Sequence, residues 1–60
     1  MSKHKKAKAI IQMLREEEQD NRRLADRSKR NNNRNGERMF GYTATILHYM
    51  IFEAERSLNE

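Results

Sequence analysis

The chain has 60 residues, of which 35% are hydrophobic and 37% charged, and its formal net charge is +4. It contains no cysteine, which excludes disulfides and cysteine-based zinc sites as a way to hold so short a chain together. We therefore expect one small helical domain over residues 1–60 that needs self-association or a partner surface to complete its core.

The first predicted element is a charged helix over about residues 3–28. This segment is rich in strong helix formers, and Ser2 is a suitable N-cap. An apolar face formed by Ala7, Ile10, Ile11 and Leu14 ends at the charged run that starts at Glu16. We also expect residues 1–6 to form a flexible basic tail.

Acidic and basic side chains four residues apart on this helix predict two ion pairs. Glu18 precedes Arg22 and Asp26 precedes Arg30, and both pairs have the order that stabilises helices. Residues 1–38 carry a net charge of +6, whereas residues 39–60 carry −2. The first helix is therefore predicted to be well solvated through its middle.

An asparagine-rich segment separates the two halves and predicts a loop over about residues 29–36. Asparagine side chains compete for backbone hydrogen bonds and tolerate left-handed conformations. The dipeptide Asn35-Gly36 is itself a strong turn signal.

The second predicted element is an apolar helix over about residues 37–58, and Gly41 is expected to weaken its first turns. One heptad stripe comprises Phe40, Ala44, Leu47, Ile51, Ala54 and Leu58. A second stripe, roughly opposite, comprises Tyr42, Thr45, Tyr49, Phe52 and Arg56. A helix that is apolar on two sides is normally covered on more than one of them.

These patterns predict an all-α fold, an antiparallel helical hairpin that turns near residue 33. The charged first helix cannot cover both stripes of the second, so a second copy forming a helical bundle, or a protein target, would cover the rest. The residues predicted to form this partner-binding or oligomer interface are Tyr42, Ile46, Tyr49, Met50 and Phe52. The predicted function is that of a small, non-catalytic interaction or regulatory protein.

An alternative function is nucleic-acid binding by the arginine-rich segment between residues 22 and 38. Arginine forks match phosphate geometry, and asparagine amides pair with base edges. The candidate contacts to DNA or RNA are Arg22, Arg23, Arg27, Lys29, Arg30, Arg34 and Arg38. Weak alternation over residues 6–10 also leaves open a ribbon-helix-helix repressor, in which a short strand precedes the helices.

The sequence carries no signal of an enzyme, and we expect no catalytic residue, cofactor, metal or small-molecule substrate. The run from Glu16 to Glu18 points its carboxylates about 100° apart on a helix, so they cannot flank one bond. His48 is expected on the polar strip of the second helix, where its charge can change near neutral pH. The longest apolar-rich run, residues 39–52, is too short to span a membrane, and a cytoplasmic location is expected.

Overall fold

The computed structural model describes residues 4–59, which form two α-helices packed against each other. Helix α1 is Lys5–Arg30 and helix α2 is Arg34–Leu58, and no strand occurs between residues 4 and 59. The hairpin is elongated, with principal extents of 48 × 17 × 10 Å. The predicted all-α antiparallel hairpin is confirmed. Residues 6–10 are helical, which excludes the strand of a ribbon-helix-helix protein.

The turn is shorter than predicted, because both helices continue into the segment expected to be a loop. The predicted loop over about residues 29–36 contains the turn but is too long, since only residues 31–33 connect the helices. Asn32 adopts the left-handed conformation at φ 58°. Its N–H donates to the carbonyl of Lys29, and the N–H of Asn33 donates to the carbonyl of Ser28. This pair of bonds is a Schellman motif, which satisfies the last carbonyls of α1 within two residues.

Asn33 ends the loop by capping α2. Its side-chain oxygen accepts a hydrogen bond from the Gly36 N–H at 3.0 Å, so residues 34–36 already form the first helical turn. The dipeptide Asn35-Gly36 is therefore helical and does not form the turn. Gly41 does not delay the helix either, because α2 runs through it without interruption.

The beginning of α1 differs from the prediction by two residues. The helix begins at Lys5, and the N-cap position is taken by His4, whose side chain makes no capping hydrogen bond. Lys5 and Lys6, part of the predicted basic tail, lie in the first turn of α1. Residues 1–3 of that tail, including the predicted N-cap Ser2, lie outside the described residues.

The core is a thin seam between the two helices. Its buried apolar residues are Ile11, Ala44 and Ile51. Ile11 and Ile51 still retain a few per cent of exposed surface, and no large side chain of the described residues is completely enclosed. The seam follows the first predicted stripe of α2, and its half-buried members are Phe40, Leu47, Ala54 and Leu58. On α1 the heptad positions of this seam are Ala7, Ile11, Leu14, Glu18, Asn21, Ala25 and Ser28, all at least half-buried. Glu18 and Asn21 make the middle of the seam polar on the α1 side.

Candidate interaction surfaces

The side of α2 that faces away from α1 carries an exposed row of large apolar side chains, here called the outer face. It consists of Tyr42, Ile46, Tyr49 and Phe52, which are 67%, 60%, 65% and 57% exposed. Their spacing of four, three and three residues keeps them on one side of the helix. The outer face therefore contains four of the five residues predicted from the sequence to bind a partner, and α1 covers none of them.

The fifth predicted residue, Met50, lies on a different surface. Successive core positions of a two-helix seam are alternately three and four residues apart. Where they are four apart, the residue just after the first lies on one edge of the seam, and the residue just before the second lies on the other. Met50 precedes Ile51, as Ile10 precedes Ile11 and Leu24 precedes Ala25. We call these three side chains the apolar edge; they are 49%, 57% and 38% exposed.

The opposite edge of the hairpin is polar, and contacts between the two helices join it. Arg15 of α1 forms an ion pair with Glu55 of α2. Nearer the turn, Nδ1 of His48 lies 3.3 Å from Oε2 of Glu18, so the predicted polar strip of α2 faces α1 along this edge. We call this side the polar edge.

Glu18 is the most enclosed of the charged groups in these ion pairs, with a side chain only 16% exposed. It accepts a hydrogen bond of 2.8 Å from Nε of Arg22, as the spacing in the sequence predicts. This bond, with further attraction from the charges of Arg22 and His48, lowers the pKa of Glu18 below its usual 4.5 against the opposing effect of burial. The carboxylate is thus held in its charged form beside the seam.

An open groove near the turn brings together three of the seven predicted nucleic-acid contacts. Arg22 from α1 and Arg34 and Arg38 from α2 line it, in a volume of about 550 Å³. The remaining lining residues are Glu37, Gly41, Tyr42 and Thr45. Tyr42 supplies an aromatic ring beside the guanidinium groups, which the sequence reading did not anticipate.

The other four predicted nucleic-acid contacts do not line this groove. Arg23 is paired with Asp20, and Arg30 with Asp26, as predicted for the second of these pairs. Arg27 and Lys29 are exposed in the last turns of α1. The structure thus divides the arginine-rich segment into a group of three and a dispersed remainder.

A second cleft of about 400 Å³ lies at the open end of the hairpin. Its lining residues are His4, Lys8, Ile11, Gln12, Arg15, Glu55, Leu58 and Asn59. Between residues 4 and 59, no group of three histidines or acidic residues could hold a metal ion. Neither described helix combines the length and apolar character needed to cross a membrane.

The apolar edge does not follow from the periodicity of one helix, because its three residues come from both helices. The sequence pattern places Ile10 on the short apolar face of the first helix and Met50 on the partner surface of the second. Their common edge follows only when both helices are placed in one seam. The signal was present in the sequence, because each of the three immediately precedes a core position.

Comparisons with protein-family models, with curated proteins and with solved structures found no match to this chain.

Proposed function

We propose that the chain is a small, non-catalytic interaction module that acts by presenting the outer face of α2 to the surface of another protein. Its effect would be to occupy or block that surface. The observation that carries this proposal is the exposure of Tyr42, Ile46, Tyr49 and Phe52 on a helix whose opposite side is already packed against α1.

The composition of the outer face supports a protein ligand. Tyrosine and phenylalanine bury a large area at a low entropic cost, and they are frequent anchors in protein interfaces. Contiguous exposed apolar surface is uncommon on proteins that work alone. The seam already supplies the hairpin with its core, so the outer face is not needed to hold the two helices together.

The proposal is tested by site-specific photo-crosslinking in extracts of the source cells. A benzoylphenylalanine placed at Tyr49 should capture a defined protein, whereas the same group at Gln19, an exposed position on α1, should not. The double variant Tyr49→Ala/Phe52→Ala, carrying the crosslinker at Tyr42, should lose the adduct while its helical circular dichroism is retained. Equal capture from positions 49 and 19, or no capture from either, would refute the proposal.

A second candidate function, nucleic-acid binding, is favoured by one observation. Arg22, Arg34 and Arg38 converge on the same groove although Arg22 lies on the other helix. Guanidinium groups suit phosphates, and the adjacent Tyr42 ring could stack on an unpaired base. Glu37 in the same groove opposes the binding of an anion, and Arg22 is already engaged by Glu18. We therefore place this candidate second.

Fluorescence anisotropy with a labelled DNA duplex and a labelled single-stranded RNA tests this second candidate. If the groove binds phosphates, Arg34→Gln/Arg38→Gln should weaken binding at low salt and reduce the slope of log K against log salt by about 2, since each phosphate contact contributes roughly one. Arg23→Gln/Arg27→Gln removes the same charge outside the groove and should have a smaller effect. No binding by the unaltered chain at low salt would exclude this function.

A further inference from the structure

We infer that a second copy of this chain packs on the apolar edge, so that two hairpins form a four-helix bundle. This inference is separate from the proposed function, because it uses the apolar edge and leaves the outer face of α2 pointing outwards. The two surfaces adjoin on α2, where Ile46 lies one turn before Met50, but they are centred on different residues: Tyr42, Tyr49 and Phe52 for the outer face, and Ile10, Leu24 and Met50 for the apolar edge.

The two edges of the hairpin differ in composition. A helix inside a four-helix bundle buries its two heptad core positions and one flanking position, while the other flank remains in solvent. On the polar edge of this hairpin, the flanking positions of α1 are Lys8, Arg15 and Arg22. On the opposite edge they are Ile10, Glu17 and Leu24, and α2 adds Thr43, Met50 and Ser57. Three of the six flanking positions on the apolar edge thus carry large apolar side chains, whereas those of α1 on the polar edge are all basic.

Contacts within a single hairpin bridge the polar edge. The Arg15–Glu55 ion pair and the contact between His48 and Glu18 join its two helices. The exposed groups in these contacts are polar and paired, whereas Ile10 and Met50, which are about half exposed on the apolar edge, are apolar. Two further exposed apolar side chains, Met13 and Met39, lie next to the apolar edge on the side away from the seam.

The accessible area of one hairpin indicates how large a contact with a second copy would be. The accessible area is 5286 Å² for a chain of 7.2 kDa. A compact monomer of this mass is expected to expose only about 4,100 Å², and a compact dimer only about 6,800 Å². A pair of hairpins as compact as a typical globular protein of that mass would bury roughly 3,700 Å² in total, which lies within the range of obligate homodimers.

Charge distribution is compatible with this pairing. The net charge of +4 would oppose association if it were spread over the contact surface. The basic side chains Lys8, Arg15 and Arg22 instead lie on the edge that points away from the second copy. Glu17, the acidic residue of the apolar edge, has a side chain long enough to keep its carboxylate at the rim of the contact.

The test measures copy number by sedimentation equilibrium. The unaltered chain should sediment at twice its 7.2 kDa mass. Leu24→Glu/Met50→Glu introduces two charges on the apolar edge and should raise the dimer dissociation constant at least 100-fold. The matched control, Gln12→Glu/Phe52→Glu, introduces the same charges elsewhere and should remain dimeric. A single-copy mass for the unaltered chain, or dissociation by the control alone, would overturn the inference.

A second measurement covers the case in which the edge variant does not fold. A dimer mixed from isotope-labelled and unlabelled unaltered chains should give intermolecular NOEs from the methyl groups of Ile10, Leu24 and Met50. Intermolecular NOEs from Tyr42, Tyr49 and Phe52 instead would place the second copy on the outer face and overturn the inference. That outcome would also count against the proposed function, because the same residues would not be free for another protein. A single-copy mass would overturn this inference alone, so the two failures are distinguishable.

Discussion

Gly36 and Gly41 lie five residues apart in α2 but have different surroundings. A Cβ on Gly36 would lie 2.6 Å from Oγ of Ser28 and 2.6 Å from Nδ2 of Asn33, whereas a Cβ on Gly41 would meet no atom within 4 Å. Gly36 thus allows the close approach of the two helices next to the turn. Gly41 has no such contact, and its only effect on the fold is the entropy that glycine loses in a helix.

We predict that alanine has opposite effects at these two positions. Gly41→Ala should stabilise the protein by about 0.5–1 kcal/mol, because alanine is the better helix former and finds open space. Gly36→Ala should destabilise it by about 1–3 kcal/mol, because Ser28 and the capping Asn33 must move. Urea unfolding followed by circular dichroism measures both changes. Stabilisation by Gly36→Ala would show that the helices do not approach closely at this point.

Glu18 makes the stability of the hairpin depend on pH in the acid range. Its pKa is lowered chiefly by the hydrogen bond from Arg22, so folding favours its charged form. The resulting stabilisation is fully present above the unfolded value of about 4.5 and is lost as the pH falls through the lowered folded value. Between pH 7 and pH 3, Glu18→Gln should therefore lose less stability than the unaltered chain.

The measurement is the urea midpoint at the two pH values, with Glu16→Gln as the control. Glu16 is an exposed residue of the same helix, so its replacement should leave the pH dependence close to that of the unaltered chain. An identical acid loss in the Glu18→Gln variant would mean that the pair with Arg22 contributes nothing to folding.

At the scale of the helix, neighbouring residues of α2 have different energetic roles because 100° separates their side chains. Ile51 is 5% exposed and packs in the seam, while Phe52 is 57% exposed on the outer face. The seam packs the two helices of one hairpin together, whereas the outer face is available for recognition.

Alanine substitutions at these two adjacent positions should separate the roles. Ile51→Ala should cost about 2–5 kcal/mol, because it leaves a cavity between the helices. Phe52→Ala removes a larger side chain but should cost less than about 1 kcal/mol, because little of it is buried. Thermal and urea unfolding of the purified variants measures both. A loss for Phe52→Ala as large as that for Ile51→Ala would contradict the assignment of the two faces.

The two helices could be predicted from the sequence, because the heptad spacing of Phe40, Ala44 and Leu47 is strong and continuous. The ends of the turn could not. Whether residues 29–36 form loop or helix depends on which asparagines end the first helix and which one caps the second. The hydrogen bonds of Asn32 and Asn33 do both, so the turn is only three residues long.

The contacts between the two helices also could not be predicted from the periodicity of either helix alone. Arg15 and Glu55 are 40 positions apart, and their pairing follows only from the register of the assembled hairpin. By contrast, the exposure of Tyr42, Tyr49 and Phe52 on the outer face could be predicted from their spacing, because they belong to the second stripe. The second stripe lies opposite the first whatever the register is.

At the scale of the whole molecule, the hairpin has little interior for its surface. Three apolar residues are buried, while nine large apolar side chains between residues 4 and 59 are exposed. Surface ion pairs such as Arg15–Glu55 contribute only about 0.2–1 kcal/mol each, so they cannot compensate for a small core. We therefore expect association to supply a substantial part of the stability of the folded chain.

The central claim is that one copy leaves apolar surface uncovered and gains stability when that surface is covered by another. The most direct test is the thermal midpoint of the purified chain, followed by circular dichroism from about 2 μM to about 500 μM. Because association stabilises only the folded state, the account predicts that the midpoint rises steadily with concentration. A midpoint that is high and identical at every concentration would show that one hairpin is stable alone, and it would contradict the account.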